Sequence, residues 1–153
     1  MTWPVHFIYQ VHYQSDRPTV FVTLRRNGDD RRLEFGIDSG CDWTIVPGDL
    51  LVPLGFSPPP RAEIDRRAAL NQLDEIGCRE LGSAAGSSVI GSGFDVTLSV
   101  DHGGPQDIDM RIFGDVTGRL SRSLLGRDFF RRVSIVGVDD NNLLVYFDQT
   151  PLT

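Results

Sequence analysis

Thirteen consecutive residues, Phe35-Gly36-Ile37-Asp38-Ser39-Gly40-Cys41-Asp42-Trp43-Thr44-Ile45-Val46-Pro47, constrain this chain more than any other stretch. An apolar strand runs into Asp-Ser-Gly, and a β-branched run leads away from it. That order places a carboxylate at the end of a buried strand, on a tight turn whose glycine tolerates strained dihedrals and whose serine can hydrogen-bond locally. A carboxylate so close to a core is costly unless a partner or a reaction uses it. Asp38 is therefore the first candidate for chemistry.

A second informative segment lies near the C-terminus: Ser123-Leu124-Leu125-Gly126-Arg127-Asp128-Phe129-Phe130. Together the two segments resemble the retropepsin-like aspartic peptidases, whose signature is an apolar residue, Asp, Thr or Ser, Gly, and soon afterwards a Thr-Ile-Val-like strand. In that family an apolar-apolar-Gly-Arg-Asp/Asn run passes behind the active site and opens a C-terminal helix. The resemblance covers roughly residues 19 to 147. It implies an all-β fold: a closed β-barrel of the retropepsin-like acid-protease type with a flap hairpin and one short C-terminal helix, working as a homodimer.

The resemblance also implies roles. Asp38 would be the catalytic acid, Ser39 would hold the turn from below across the dimer axis, and Gly40 would let backbone approach the site. Asp42 and Arg127 would form a partly buried ion pair that braces the site near the dimer interface. The small residues Ser83, Ala84, Ala85, Gly86 and Ser87 fall where the family has the tip of a flap that closes over bound peptide. The implied activity is an aspartic endopeptidase acting on peptide or protein substrates, with no metal and no cofactor. The alternative within the same fold is a dimer that binds an extended peptide or protein partner without cutting it.

Pepsin-like chains carry two Asp-Thr/Ser-Gly motifs in one longer polypeptide, whereas this chain has one. The nearest second candidate, Asp115-Val116-Thr117-Gly118, has one residue too many. If the chemistry needs two carboxylates, two chains must supply them. At 153 residues the chain fits a single domain, 1–153, with residues 1–18 as an N-terminal extension strand ahead of the core.

Composition narrows the partners. A formal net charge of −6 argues against nucleic acid or an anionic membrane. All fifteen basic residues are arginine, which removes Schiff-base chemistry and a P-loop lysine. Cys41 and Cys78 are too few for a disulfide scaffold, and no apolar N-terminal run resembles a signal peptide or a membrane span, so the expected location is the cytoplasm. Cys41 reads as a small buried filler. His6, His12 and His102 lack the spacing of a shared metal site.

Along the chain, residues 5–13 alternate like a half-buried strand. Val20–Leu24 and Leu33–Ile37 are two strands joined by a hairpin at Asn27-Gly28, a strong turn signal. Gly48–Phe56 holds at most a short helical turn, interrupted by Pro53 and stopped by Gly55, and Ser57–Pro60 is an extended connector. Ile64, Ala68, Leu70 and Leu73 allow a short amphipathic helix. Further strands are expected at 94–100, 108–112, 135–138 and 143–147, with a short helix over 127–133. No internal repeat is visible.

Overall fold

The computed structural model describes residues 8–12, 18–38, 40–82, 88–101, 107–139 and 144–148, with the backbone alone described for 8–12, 134–139 and 144–148. The strands are β1 (Ile8–His12), β2 (Thr19–Arg26), β3 (Asp29–Ile37), β4 (Ile45–Pro47), β5 (Cys78–Gly82), β6 (Ser88–Val100), β7 (Ile108–Asp115), β8 (Ser123–Leu125), β9 (Ser134–Asp139) and β10 (Leu144–Asp148). Two helices join them, α1 (Arg61–Ala69) and the single turn α2 (Arg127–Phe130), together with a 3-10 segment over Gly48–Leu54.

Local sequence explains the elements nearest Asp38. Asn27 and Gly28 both take left-handed backbone (φ 52° and 85°), so the two-residue turn matches strand twist and fixes the β2–β3 register from Arg26↔Asp29 to Thr19↔Gly36. That register buries Val20, Val22 and Leu24 of β2 against Leu33 and Phe35 of β3. The 3-10 segment ends where expected, at Gly55 with φ 92°.

Six strands close into a barrel in the order β2-β3-β8-β4-β7-β6, and β6 returns to β2 through Val22↔Val100 to Arg25↔Thr97. Closure leaves no free edge in the barrel itself. Outside it, β5 pairs with the first half of β6, forming a hairpin from Cys78↔Ser92 to Gly82↔Ser88. The expected strand at 94–100 is thus the second half of one continuous strand, β6, whose first half pairs with β5 in the hairpin. The expected tip residues, Ser83 to Ser87, lie outside the described residues, as do His6 and His102. The N-terminal strand β1 pairs with β10, and β10 with β9, in a separate three-stranded sheet of order β1-β10-β9.

Two apolar clusters follow from this arrangement. The larger fills the barrel and includes Val22, Leu24, Phe35, Ile112, Leu125 and Phe129. The smaller, Cys41, Ile45, Leu81 and Phe113 with Trp43, Val89, Leu120 and Leu124 packed against it, is distinct from the barrel cluster and brings Leu81 and Val89 of the β5–β6 hairpin against β4, β7 and β8. Consecutive apolar pairs such as Ile45-Val46 and Ile112-Phe113 contribute one residue to each cluster, as strand alternation requires.

The barrel contains an internal symmetry that the sequence hides. Parallel pairs β3–β8 and β7–β4 meet where β4 and β8 touch antiparallel at Ile45↔Leu124. Exchanging β3 with β7 and β8 with β4 carries Gly36↔Leu124 onto Phe113↔Ile45, and with the same offset carries Asp38 onto Asp115. No sequence repeat announces it: the halves are related by pairing register, with few residues shared between them.

The segment inserted between β4 and β5 carries its own electrostatic lock. In α1 the Glu63 carboxylate accepts hydrogen bonds from Arg66 Nε and Nη2 (3.1 and 2.9 Å) and Arg67 Nε (2.9 Å), and Arg67 also bonds Glu75 beyond the helix. Hydrogen bonds from Arg66 and then Arg67 hold Glu63 down to about 2, from an ordinary value of 4.5. A carboxylate depressed in the folded state stabilises it fully above its unfolded value, and that contribution is lost as pH falls from about 4.5 through about 2. Thermal melts should therefore show Glu63→Gln less stable than the parent at pH 7 and the gap closing by pH 2; a gap independent of pH would refute the lock.

Candidate active site

Strand β3 delivers Asp38, and the turn after it is closed by backbone bonds from Asp38 N to Leu125 O (3.1 Å) and from Cys41 N to Asp38 O (3.2 Å). Gly40 N donates to Asp38 Oδ1 at 2.9 Å, fixing the carboxylate over its own turn. Asp38 is half-buried and Gly40 exposed, so the acid lies at a surface rather than in the barrel. Ser39 lies outside the described residues.

The symmetry-related Asp115 is in the opposite condition. It is 5% exposed, and its two oxygens accept from Thr117 N (2.8 Å), Thr117 Oγ1 (2.6 Å) and Leu120 N (2.9 Å). Every one of those bonds serves its own loop. The extra residue in Asp-Val-Thr-Gly makes room for this wrapping, and Asp115 becomes a structural bracket. Asp38 accepts one hydrogen bond among the described residues and keeps the rest of its acceptor capacity open.

The loop after Asp38 is stapled to the start of α2. Arg127 N donates to Cys41 O (2.8 Å) and Asp128 N to Asp42 O (3.2 Å). In return Asp128 accepts from Thr44 N (3.0 Å) and Thr44 Oγ1 (2.8 Å), while Thr44 Oγ1 accepts from Gly126 N (3.2 Å). The approach is so close that a Cβ on Gly126 would lie 2.5 Å from the Trp43 carbonyl oxygen and 2.8 Å from that of Cys41. This explains Gly in Leu-Leu-Gly-Arg-Asp. The Thr44–Asp128 staple is what sequence reasoning missed: Asp128 reads as a helix-start acid, and nothing local points from it to Thr44.

Arg127 and Asp42 approach each other, with Nη1 3.8 Å from Oδ1 and side chains 58% and 67% exposed. The expected pair is present, and within one chain it is long and solvated. By itself such a pair contributes less than about 1 kcal/mol.

Neither cysteine is poised to react. Burial pushes the Cys41 thiol up, and the Asp38, Asp128 and Asp42 carboxylates add to this against the lowering effect of its bond to Trp43 O, at 3.0 Å. Burial likewise raises Cys78. Both thiols stay protonated at neutral pH, so nucleophilic thiolate chemistry has no candidate here. Among the described residues no three His, Cys, Asp or Glu side chains converge to hold a metal ion, and no helix is long and apolar enough to cross a membrane.

Trp43, Leu120, Leu124 and Val89 remain partly exposed on the smaller apolar cluster, which includes Cys41 of the loop after Asp38. Trp43 packs edge-on against Phe113, and the Arg79 guanidinium covers its ring at 4.4 Å. A surface depression of about 430 Å³ lined by residues such as Arg26, Asp95 and Arg111 does not include Asp38.

Thr44→Val keeps shape but leaves Gly126 N–H and an Asp128 oxygen short of a partner at a site with 0% exposure. It should cost about 2 kcal/mol and lower the melting temperature by about 4–8 °C, with Thr44→Ser recovering most of the loss. Calorimetry checks both variants.

No protein-family model matches the sequence, and no curated protein is significantly similar to it. Solved structures are informative. The crystal structure of a retropepsin-like aspartic protease from Rickettsia conorii superposes with a TM-score of 0.53 at 12% identity, covering 99% of this chain and 98% of that one. The EIAV protease complexed with the inhibitor HBY-793 superposes with a TM-score of 0.42 at 16% identity, over 86% of this chain and 92% of that one. The fold is retropepsin-like: mostly strands, a closed six-stranded barrel and few short helices.

Proposed function

We propose that this chain is one subunit of a homodimeric aspartic endopeptidase, with Asp38 as the catalytic residue of each subunit. The observation that carries the reading is the contrast between the two symmetry-related acids. Asp115 is buried and consumed by its own loop, while Asp38 is half-buried at the end of β3 with one accepted hydrogen bond among the described residues. A two-carboxylate reaction therefore cannot draw its second acid from Asp115. It requires Asp38 of a second copy.

Two Asp38 carboxylates facing each other cannot both ionise cheaply, so they share one proton, the behaviour by which the aspartic-protease dyad is generally known. The ionised member takes a proton from a water held between them, and the protonated member polarises the scissile carbonyl. Water attacks, a tetrahedral intermediate forms, and proton return to the nitrogen releases the amine, with no covalent enzyme adduct. Gly40 N–H, bonded to Asp38 Oδ1, would hold each carboxylate in place, and Ser39 would tie the two turns together across the axis.

Dimerisation would have its physical basis in the terminal sheet. Its order β1-β10-β9 leaves outer strands able to pair further, and β1 joins the two ends of the chain in one sheet. The hairpin β5–β6 would act as the flap, with Ser83, Ala84, Ala85, Gly86 and Ser87 as its tip, lowering over an extended peptide whose backbone pairs with strand edges. Asp42 and Arg127, exposed in one subunit, would gain burial and strength at the interface.

Asp38→Asn should lower kcat/KM on a mixture of fluorogenic peptides by at least about 10²–10⁴-fold, while sedimentation still finds the parent's oligomer. Diluting the parent below its dimer dissociation constant should remove activity in parallel with dimer. Cleavage that survives in Asp38→Asn would refute the assignment; tight peptide binding by a parent that never cleaves would favour the non-catalytic binding dimer.

A further inference from the structure

Gly36 lies two residues before Asp38 on β3, and alternation along a strand puts both on the same face, opposite the core residue Phe35. Gly36 is buried although it has no side chain. What covers it is an arginine: a Cβ on Gly36 would lie 2.7 Å from Arg122 Nη2, 3.3 Å from Arg122 Cζ and 3.3 Å from Leu124 Cδ2. The absent side chain is thus the space into which the Arg122 guanidinium is laid.

Arg122 belongs to the loop between the Asp115 turn and β8. Asp115 wraps the start of that loop through Thr117 and Leu120, and Arg119 Nη1 ties it to Ser88 O (3.1 Å), in the last pair of the β5–β6 hairpin before its tip. The loop therefore links the tip end of that hairpin to β8, which pairs with β3 ahead of Asp38. Most guanidinium groups among the described residues bond a carboxylate or a carbonyl; Arg31, Arg79, Arg122 and Arg131 do not. Of those four, Arg31, Arg79 and Arg131 are exposed, and only Arg122 is half-buried. A partly desolvated guanidinium without an acceptor gains most from an incoming carboxylate, with which it can form a bidentate, charge-assisted pair.

We propose that Arg122 is a specificity-determining residue that selects substrates with an Asp or Glu side chain close to the scissile bond. This rests on the aspartic-endopeptidase reading of Asp38. Two residues of strand span about 6.6 Å, and an extended peptide rises by the same amount, so a group over Gly36 reaches the residue beside the cleaved bond or the next one. Twofold symmetry supplies a second Arg122 on the other side, so acidic residues are selected on both sides of the bond. Leu120 and Leu124 line the same surface and take the methylene stem of the substrate side chain.

The test uses the full chain and paired fluorogenic peptides that differ only by Glu or Gln beside the cleaved bond. The parent should prefer Glu by about tenfold in kcat/KM, expressed mainly in KM. Arg122→Gln should bring the ratio to about one, Arg122→Lys should restore part of it, and Arg122→Glu should turn the preference toward an Arg-containing peptide. Gly36→Ala, which displaces chiefly the flexible end of Arg122 and presses lightly on Leu124, should weaken the ratio with the charge still present. Acidifying the assay enough to protonate the substrate Glu should erase the preference.

A parent that cleaves Glu and Gln peptides equally overturns the inference and leaves the endopeptidase reading standing. So does a preference that persists in Arg122→Gln, or an Arg122→Gln protein that has become monomeric, which would assign the guanidinium to the interface. Binding of the same peptides to Asp38→Asn, read by fluorescence anisotropy, separates the two claims. A Glu preference there that vanishes in the double variant supports the selectivity of Arg122 even where the parent cleaves nothing, whereas no preference in binding counts against it.

Discussion

The staple between the loop after Asp38 and the first residues of α2 is the interaction on which the rest of the site depends. It consists of backbone amides of residues 127 and 128 held on the carbonyls of Cys41 and Asp42, with Thr44 and Asp128 bonding in the reverse direction. Because Thr44 is fully buried, its amide and hydroxyl would otherwise be desolvated, and leaving such a bond unmade is more costly than making one is favourable. The arrangement fixes the loop from both sides. Asp38 inherits its orientation from that fixity, since its backbone amide is bonded to Leu125, the residue before the glycine that lets the staple close.

The barrel's pseudo-twofold symmetry turns one structural idea to two uses. In both halves a strand ends in an acid at the start of a turn, and in both the acid bonds backbone amides of that turn. The difference lies in loop length. Among the described residues Asp38 accepts one bond, from Gly40 N, whereas Asp-Val-Thr-Gly-Arg-Leu is long enough for Thr117 and Leu120 to close over Asp115. A single inserted residue thus goes with a fully wrapped acid in one half and a sparsely bonded one in the other. The same loop, once wrapped, is carried across to the Asp38 face.

Legibility in the sequence followed the range of the interactions. The Asn27-Gly28 hairpin, the stop at Gly55 and the Asp38 turn are set by residues in contact along the chain, and they could be read directly. The β5–β6 hairpin was legible through its small residues, although its fusion with the barrel strand was not, because no turn residue separates Gly93 from Phe94. The insert helix α1 ends at Ala69, well short of Leu73, since Asn71 adopts left-handed backbone (φ 59°). Thr44 with Asp128, and Gly36 with Arg122, were invisible: each pair is separated by more than eighty residues and meets only through barrel closure. The exposure of Asp42 and Arg127 was equally hidden, because burial depends on what covers a surface and not on which residues face each other.

Gly36 shows why such distant pairs matter for function. In β3 a residue of any size on this face would have met Leu124 and the loop before β8, and an apolar one would have extended the smaller cluster toward the Asp38 turn. Glycine instead weakens the strand slightly, by removing a side chain that could pack, and the guanidinium of Arg122 takes the vacated volume. Placing a cation there is unfavourable in an empty site, since part of its hydration is lost without a carboxylate in return. That cost is reversed only when an anion arrives. The strand gives up packing and the loop gives up solvation at one point on the face of Asp38, so both losses are recovered together when a carboxylate binds there.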